Sequence, residues 1–223
     1  NIQYAFSYNG THWFRFPDMG IDGITHRFTQ SSVEISPNFA YPYSRAVNFC
    51  DSVDALDLPY ASKEILAISE EGRDVPMLRI TDPSIPDSLK RIVWFQGRQH
   101  AFESASSLVP EGFARWMISS DSAAQELRQW VIAYCIPIMD VDNVYKGNTG
   151  KGQPPVDFNR CWDDADPHWN AVKRTKTMID SLCQPLTRLK AFFDCHSPFY
   201  DEVGHLRLRT NRESCVLYKG AFL

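Results

Sequence analysis

The sequence has no excess of positive charge and no long apolar run, and these two absences exclude two classes of protein. Lys and Arg number 23 against 27 Asp and Glu, which gives a formal net charge of −4. A chain of this charge lacks the excess of basic residues that nucleic-acid-binding proteins show. The longest apolar run, residues 130–139, contains Pro137 and is too short to span a membrane. We therefore expect no nucleic-acid partner and no membrane segment.

The sequence also lacks paired cysteines. Six cysteines, at positions 50, 135, 161, 183, 195 and 215, form no Cys-x-x-Cys pair, which argues against a zinc ribbon and a thioredoxin-like motif. Cys135 and Cys195 lie in apolar runs and are expected to be small core residues. The chain starts at Asn1 with neither a methionine nor a signal peptide, as a processed or trimmed product would. Either a cytoplasmic or an exported protein fits this pattern, and the oligomeric state stays open.

Length and composition fit a globular chain that can bury a sizeable core. The 223 residues are 43% hydrophobic and 22% charged, as in one large domain or two small ones. Aromatic runs on both sides of Asn9-Gly10 predict a hairpin, so we interpret residues 1–37 as a short all-β piece, the end of a β-sandwich. Residues 38–223 alternate between strands and helices. They predict an α/β domain, a three-layer α/β/α sandwich with a mixed, mostly parallel sheet.

Hydrophobic periodicity and capping residues place the individual elements. Helices are predicted after Pro42 through Ala55, over residues 123–130 with Asp121 as N-cap, and over residues 172–189 with a break near Pro185. Between them, residues 140–166 are predicted to be irregular. Strands are predicted at residues 26–29, 32–35, 65–69, 75–80, 92–95, 131–139, 192–195, 206–208 and 216–218.

Two of the predicted strands are followed by residues that can bind a metal ion. Residues 92–95 precede His100 and Glu103, and residues 192–195 precede His196. Open α/β sheets place their sites outside the carboxyl ends of the strands, and a catalytic zinc needs three protein ligands. These three residues therefore predict a zinc site. The alternative is that each histidine is a hydrogen-bonded structural residue and that the His-x-x-Glu pair is solvated surface.

A second candidate group lies in the irregular segment of residues 140–166. Loops of this length in a compact domain are usually functional. Asn159 and Arg160 place an amide beside a planar guanidinium, a pair that can grip a carboxylate by several hydrogen bonds. Lys151, between two glycines, adds a flexible positive charge for a carbonyl or carboxylate oxygen. The alternative is that Asn159 and Arg160 form a capping or surface pair.

The order of these motifs resembles the zinc carboxypeptidases. The branch resembled is the cytosolic-carboxypeptidase-like one, in which a β-sandwich precedes the peptidase domain. Tyr41-Pro42-Tyr43 and residues 70–79 also resemble that branch, so the resemblance covers nearly the whole chain. The three ordered motifs lie in residues 97–103, residues 138–160 and residues 194–198.

The resemblance implies a zinc-dependent carboxypeptidase that removes residues from the C-terminus of a peptide or protein. It implies that zinc is held by His100, Glu103 and His196. It also implies that Asn159 and Arg160 hold the terminal carboxylate of the substrate. The family polarises the scissile carbonyl with an arginine in the preceding loop. This chain has no arginine between residues 142 and 159, so Lys151 is the expected substitute, although lysine lacks the forked geometry.

The general base of the family, a glutamate on a strand well after the third zinc ligand, is not found. Glu202 is next to the ligand turn and Glu213 lies in a predicted hairpin, and neither has the expected context. We therefore expect a chain cut short at both ends, with an unknown base. Two alternatives to the peptidase are a catalytically inactive, peptide-binding pseudoenzyme and a zinc amidohydrolase or deacylase on the same scaffold.

Overall fold

A small antiparallel sheet opens the chain. In this computed structural model the described residues are 4–10, 12–16, 25–36, 39–182 and 188–197, with the backbone of 205–210 and 214–219. Strands β1 (Ala5–Ser7), β2 (Trp13–Arg15) and β3 (Glu34–Ser36) form a sheet of order β2-β1-β3. β1 pairs antiparallel with β2, which confirms the hairpin at Asn9-Gly10. The domain boundary that we place between residues 37 and 38 stays a prediction.

The predicted strand at residues 26–29 is wrong. These residues form no strand, and their aromatic rings instead pack on Phe6. The His26 ring lies 4.8 Å and the Phe28 ring 5.6 Å from the Phe6 ring. The alternating pattern therefore reflects ring packing and not a hydrogen-bonded ladder. The strand predicted at residues 32–35 is present as β3, but it begins at Glu34 and ends at Ser36.

The main sheet has a parallel centre and antiparallel margins. Its strand order is β10-β9-β8-β6-β7-β5-β4. Among these strands, β6 pairs in parallel with β7 and with β8, whereas the outer pairs are antiparallel. The strands are β4 (Ala61–Ile68), β5 (Asp74–Ile80), β6 (Arg91–Gly97), β7 (Val131–Ile136), β8 (Leu189–Cys195), β9 (His205–Thr210) and β10 (Ser214–Lys219).

The mixed sheet is confirmed, but the expectation of a mostly parallel sheet is wrong. Parallel neighbours need a long crossover connection, and among the described residues helices supply such connections between β6, β7 and β8. β4 and β5 are joined by a short turn, and residues 211–213 alone separate β9 from β10, so both pairs are antiparallel.

In the part of the chain that the structure describes, five α-helices connect the strands. They are α1 (Tyr43–Asp54), α2 (Leu108–Met117), α3 (Ser122–Trp130), α4 (Val141–Lys146) and α5 (Asn170–Leu182). Pro42 precedes α1 and Asp121 caps α3, accepting hydrogen bonds from the backbone N–H groups of Ala123 (2.9 Å) and Ala124 (3.2 Å). Both predictions are confirmed. Among the described residues, no helix has the length and apolar character that crossing a membrane requires.

The prediction that residues 140–166 are wholly irregular is wrong for α4. Asp140 caps this helix by accepting a hydrogen bond from the backbone N–H of Asn143 at 3.2 Å. Gly147 ends it in the left-handed conformation, with φ of 74°. This pairing of an N-cap aspartate with a C-terminal glycine is a helix signal that the short apolar pattern obscured. The break predicted near Pro185 lies outside the described residues.

Helices cover both faces of the sheet, which confirms the three-layer sandwich. On one face, Phe49 of α1 and Met117 of α2 pack with Ala133 and Cys135 of β7. On the other face, Val172 of α5 packs in a cluster that contains Ile132, Tyr134 and Ile136 of the same strand. Every residue of β7 is therefore buried, as expected for a central strand of an α/β sandwich. Cys135 and Cys195 are buried core residues, as predicted.

Candidate metal centre

The turn after β6 carries His100 and Glu103, and contacts with neighbouring backbone hold it in place. Arg98 adopts a left-handed φ of 63°, and its buried guanidinium donates to the carbonyl oxygens of Tyr41 and Ala101, both at 2.7 Å. Gly97 lets the next turn close over the strand end, because a Cβ there would lie 2.6 Å from the carbonyl oxygen of Ser106. The backbone of this turn is therefore fixed by contacts on both sides.

The structure brings His100, Glu103 and His196 together. Each offers one ligand atom, and these atoms lie within 4.8 Å of one another. His100 Nδ1 lies 3.0 Å from Glu103 Oε1, and His196 Nδ1 lies 2.7 Å from Glu103 Oε2. Both imidazoles therefore turn the same nitrogen towards one carboxylate. A set of two imidazoles and one carboxylate, with no thiolate among them, fits a zinc ion with an open position.

The second ring nitrogen of each histidine, Nε2, contacts another carboxylate. His100 Nε2 lies 2.9 Å from Asp157 Oδ1, and His196 Nε2 lies 3.2 Å from Asp194 Oδ2. A carboxylate here accepts a hydrogen bond from Nε2–H, so Nδ1 is the nitrogen that can bind a metal ion. Neither carboxylate is identified from the sequence alone. For Asp194, the sequence does contain one indication. It lies two residues before His196, and in an extended chain this spacing places two side chains on the same side.

The charges of the metal-free site are set by these contacts. Burial alone would raise the pKa of Glu103, but its hydrogen bonds with His100 and His196 hold the pKa at about 2. Burial would lower the pKa of His196, but Asp194 and Glu103 raise it to about 10. Burial would raise the pKa of Asp194, yet the hydrogen bond with His196 lowers it. Without a metal ion, Glu103 and Asp194 are thus ionised and His196 is protonated at neutral pH, so a cation that binds here would displace a proton from His196.

Lys151 lies beside His100. Its Nζ is 3.5 Å from His100 Nε2. Because that nitrogen already donates to Asp157 at 2.9 Å, the contact with Lys151 is one of proximity and not a hydrogen bond. The loop reaches this position because Gly150 has no Cβ: one built there would lie 2.7 Å from the backbone nitrogen of Ala101.

Asn159 and Arg160 are tied to the same site through Asp157. Asp157 accepts hydrogen bonds from the backbone N–H groups of Asn159 (3.2 Å) and Gly152 (2.7 Å) as well as contacting His100. The Arg160 guanidinium donates to Asn159 Oδ1 and is exposed to solvent. The two side chains therefore lie in contact, with Arg160 exposed and Asn159 half-buried. Glu202 and Glu213 lie outside the described residues.

The sequence matches the profile of a known family. The zinc carboxypeptidase profile matches residues 47–192, a range that contains His100, Glu103, Asn159 and Arg160 and ends before His196. Cytosolic carboxypeptidase 6 of Mus musculus is 30% identical over 165 residues, which are 71% of this chain and 30% of that protein. Cytosolic carboxypeptidase 6 of Homo sapiens is 28% identical over 166 residues, covering 71% of this chain and 32% of that protein.

Solved structures have the same fold. A metallo-carboxypeptidase from Burkholderia cenocepacia superposes with a TM-score of 0.74 at 26% identity, covering 91% of this chain and 54% of that one. A putative carboxypeptidase from Burkholderia mallei gives a TM-score of 0.75 at 24% identity, covering 91% and 52%. The chain thus spans about a third of these curated relatives and half of these solved chains. Because the family profile matches more than half of its residues, the chain belongs to the zinc carboxypeptidase family.

Proposed function

We propose that this protein is a zinc metallocarboxypeptidase, which hydrolyses C-terminal residues from peptides or proteins. One observation carries the proposal: His100, Glu103 and His196 converge within 4.8 Å, and each imidazole is backed by a carboxylate. A zinc ion held there would supply a Lewis acid that polarises a carbonyl and lowers the pKa of water.

Asn159 and Arg160 are proposed to bind the terminal carboxylate of the substrate. A guanidinium can offer two parallel N–H donors to a carboxylate. The Arg160 side chain is exposed, and one of its nitrogens already donates to Asn159 Oδ1, which holds the two side chains together. Asp157 links the pair to His100, so the substrate terminus would be fixed relative to the metal ligands. This arrangement confines cleavage to the end of a chain.

Lys151 is proposed to stabilise negative charge that develops on the scissile carbonyl oxygen. Its ammonium lies at the edge of the site, 3.5 Å from His100 Nε2. The loop that carries it has no arginine between residues 142 and 159. Lysine supplies a point charge here and not a fork, so its effect is electrostatic and not geometric.

Peptide binding without hydrolysis is the second candidate function. Among the described residues, the three carboxylates that contact the two histidines, Glu103, Asp157 and Asp194, are all hydrogen-bonded to them. None of these three is left to accept a proton from water. A peptidase would need a general base in addition to them.

Replacing Arg160 by alanine tests the carboxylate assignment. With zinc present, we expect Arg160→Ala to weaken binding of free-carboxylate peptides by about 10- to 100-fold, the range for a lost charge-assisted hydrogen bond. Binding of the same peptides in amidated form should change little. Arg174→Ala is the matched control, because Arg174 is an exposed arginine of α5.

Peptide binding should be measured by calorimetry, and hydrolysis should be followed by mass spectrometry of the products. Equal losses for free and amidated peptides would show that Arg160 is structural. Release of the C-terminal residue would identify a peptidase, whereas binding without turnover would identify the second candidate.

A further inference from the structure

Two pairs of tryptophan and glutamine hold the carboxylate of Asp194. In the first pair, Trp94 Nε1 donates to Gln96 Oε1 at 3.0 Å, and Gln96 Nε2 donates to Asp194 Oδ1 at 3.3 Å. In the second pair, Trp162 Nε1 donates to Gln99 Oε1 at 2.7 Å, and Gln99 Nε2 donates to Asp194 Oδ2 at 2.6 Å. Each oxygen of the carboxylate therefore receives its own glutamine.

The second pair differs from the first because it joins three separate segments. Trp94 and Gln96 both lie on β6, next to Asp194 on β8. Gln99 lies in the turn after β6, and Trp162 lies in the long loop two residues after Arg160. The Asp194 oxygen that Gln99 contacts also contacts His196 Nε2 at 3.2 Å. The chain of hydrogen bonds thus runs from the loop to His196.

Glutamine is the neutral side chain that suits this position. An indole N–H only donates, an ionised carboxylate only accepts, and the amide of glutamine offers one acceptor and two donors. The Gln99 side chain has one orientation that satisfies both neighbours. Gln99 is 1% exposed, and a buried amide that loses its partners is costly. The link is therefore specific and not an incidental surface contact.

We propose that Gln99 and Trp162 are positioning residues that connect the carboxylate-binding pair to the third metal ligand. The proposal rests on the proposed function, because it takes His196 as a ligand. Asp157 ties the loop to His100 just before Asn159 and Arg160, and Trp162 ties it to His196 just after them. His196 would be restrained when it holds a metal ion, and Asp194, Gln99 and Trp162 would pass that restraint to the loop through their hydrogen bonds.

Hydrogen exchange of the full chain, with zinc alone as the probe, tests this link. We expect saturating zinc to slow amide exchange in residues 161–164 by about fivefold, the change that one hydrogen bond produces. Gln99→Leu and Trp162→Phe should lose this effect. Gln96→Leu is the matched control. It removes the glutamine on Asp194 Oδ1 but keeps Gln99 and Trp162, so the zinc-dependent slowing should remain. Zinc-dependent protection of residues 152–158, which Asp157 holds, should persist in all variants.

The outcomes separate the link from the proposed function. Zinc affinity is measured in parallel by competition with a chromophoric chelator. If Gln99→Leu binds zinc and retains the protection of residues 161–164, the link is refuted while the metal site stands. If the unaltered protein binds no zinc, both proposals fall. Trp162→Phe keeps an aromatic ring next to Phe192 and removes the indole N–H. If Gln99→Leu fails to fold, Trp162→Phe still tests the link.

Discussion

Asp157 and Asp194 show how single carboxylates determine what the two histidines can do. Each accepts a hydrogen bond from Nε2 of an imidazole, and this contact turns Nδ1 towards Glu103. A histidine without such a partner could present either nitrogen or rotate its ring. The preorganisation of the site therefore depends on residues that would not themselves contact a metal ion.

Asp140 provides a prediction on pH at the scale of one residue. It is buried, with 3% exposure, and burial raises its pKa to about 6, above an ordinary value of about 3.9. Between about pH 4 and 6 the unfolded chain loses this proton while the folded chain keeps it, so stability falls as pH rises. Asp140→Asn has no such titration.

We expect the free energy of unfolding of Asp140→Asn, relative to the unaltered protein, to increase between pH 4 and 6. The increase should be on the order of 1–3 kcal/mol and should level off above pH 7. Urea denaturation at a series of pH values measures it. A difference between the two proteins that does not vary with pH would show that Asp140 is not a titrating buried group.

The three residues proposed as metal ligands are easier to predict from the sequence than the side chains that contact them. His100, Glu103 and His196 stand at the ends of two apolar runs, and parallel strands bring such ends to one edge of a sheet. Asp157 meets His100 across 57 positions of the chain, and no periodicity relates a loop residue to a turn at that distance. Gln99 and Trp162 are separated by 63 positions and are unpredictable for the same reason.

At the scale of elements, the site depends on two turns that touch. The backbone N–H of Phe102 donates to the carbonyl oxygen of Thr149 at 3.0 Å, which places the loop of Lys151 against the turn of His100. Gly150 stands at the contact, with φ of 70° and no room for a side chain. The position of Lys151 is thus a consequence of a close backbone approach.

Alanine at this contact should disrupt it. Gly150→Ala adds a Cβ that would lie 2.7 Å from the backbone nitrogen of Ala101, and backbone cannot move aside as a flexible side chain can. We expect it to lower the free energy of unfolding by about 2–4 kcal/mol, since the left-handed conformation itself costs an alanine about 1–2 kcal/mol and the clash adds to that cost.

Gly152→Ala is the matched control. Gly152 has φ of 59° in the same loop, and nothing lies within 4 Å of a Cβ built there. It should carry only the conformational cost of about 1–2 kcal/mol. Chemical denaturation of both variants measures the difference, and equal losses would show that the contact with Ala101 has no energetic role.

Elements with strong local signals are predictable, and those that depend on packing are not. The Asp121 cap and the helix after Pro42 follow from capping chemistry within a few residues of the sequence. Residues 26–29 alternate as a strand does, yet the rings of His26 and Phe28 pack on Phe6 instead of pairing. Tertiary contacts overrode the local pattern in that segment.

At the scale of the whole molecule, the parallel centre of the sheet assembles the site. β6 and β8 are neighbours, with Gly97 opposite Cys195, so the residues that follow them emerge side by side. The sequence predicts the layers because β7 is apolar throughout. It also predicts the hairpins that become the antiparallel pairs β4–β5 and β9–β10. It does not predict the antiparallel pairs β5–β7 and β8–β9, because these join strands that are not linked by a tight turn.

Zinc-edge X-ray absorption of the protein loaded with one equivalent of zinc tests the central claim most directly. The account predicts a shell of nitrogen and oxygen atoms at about 2.0–2.2 Å, with the outer scattering of two imidazoles. His196→Ala should remove one imidazole from that shell. A sulfur shell at about 2.3 Å, or a spectrum that His196→Ala leaves unchanged, would contradict it.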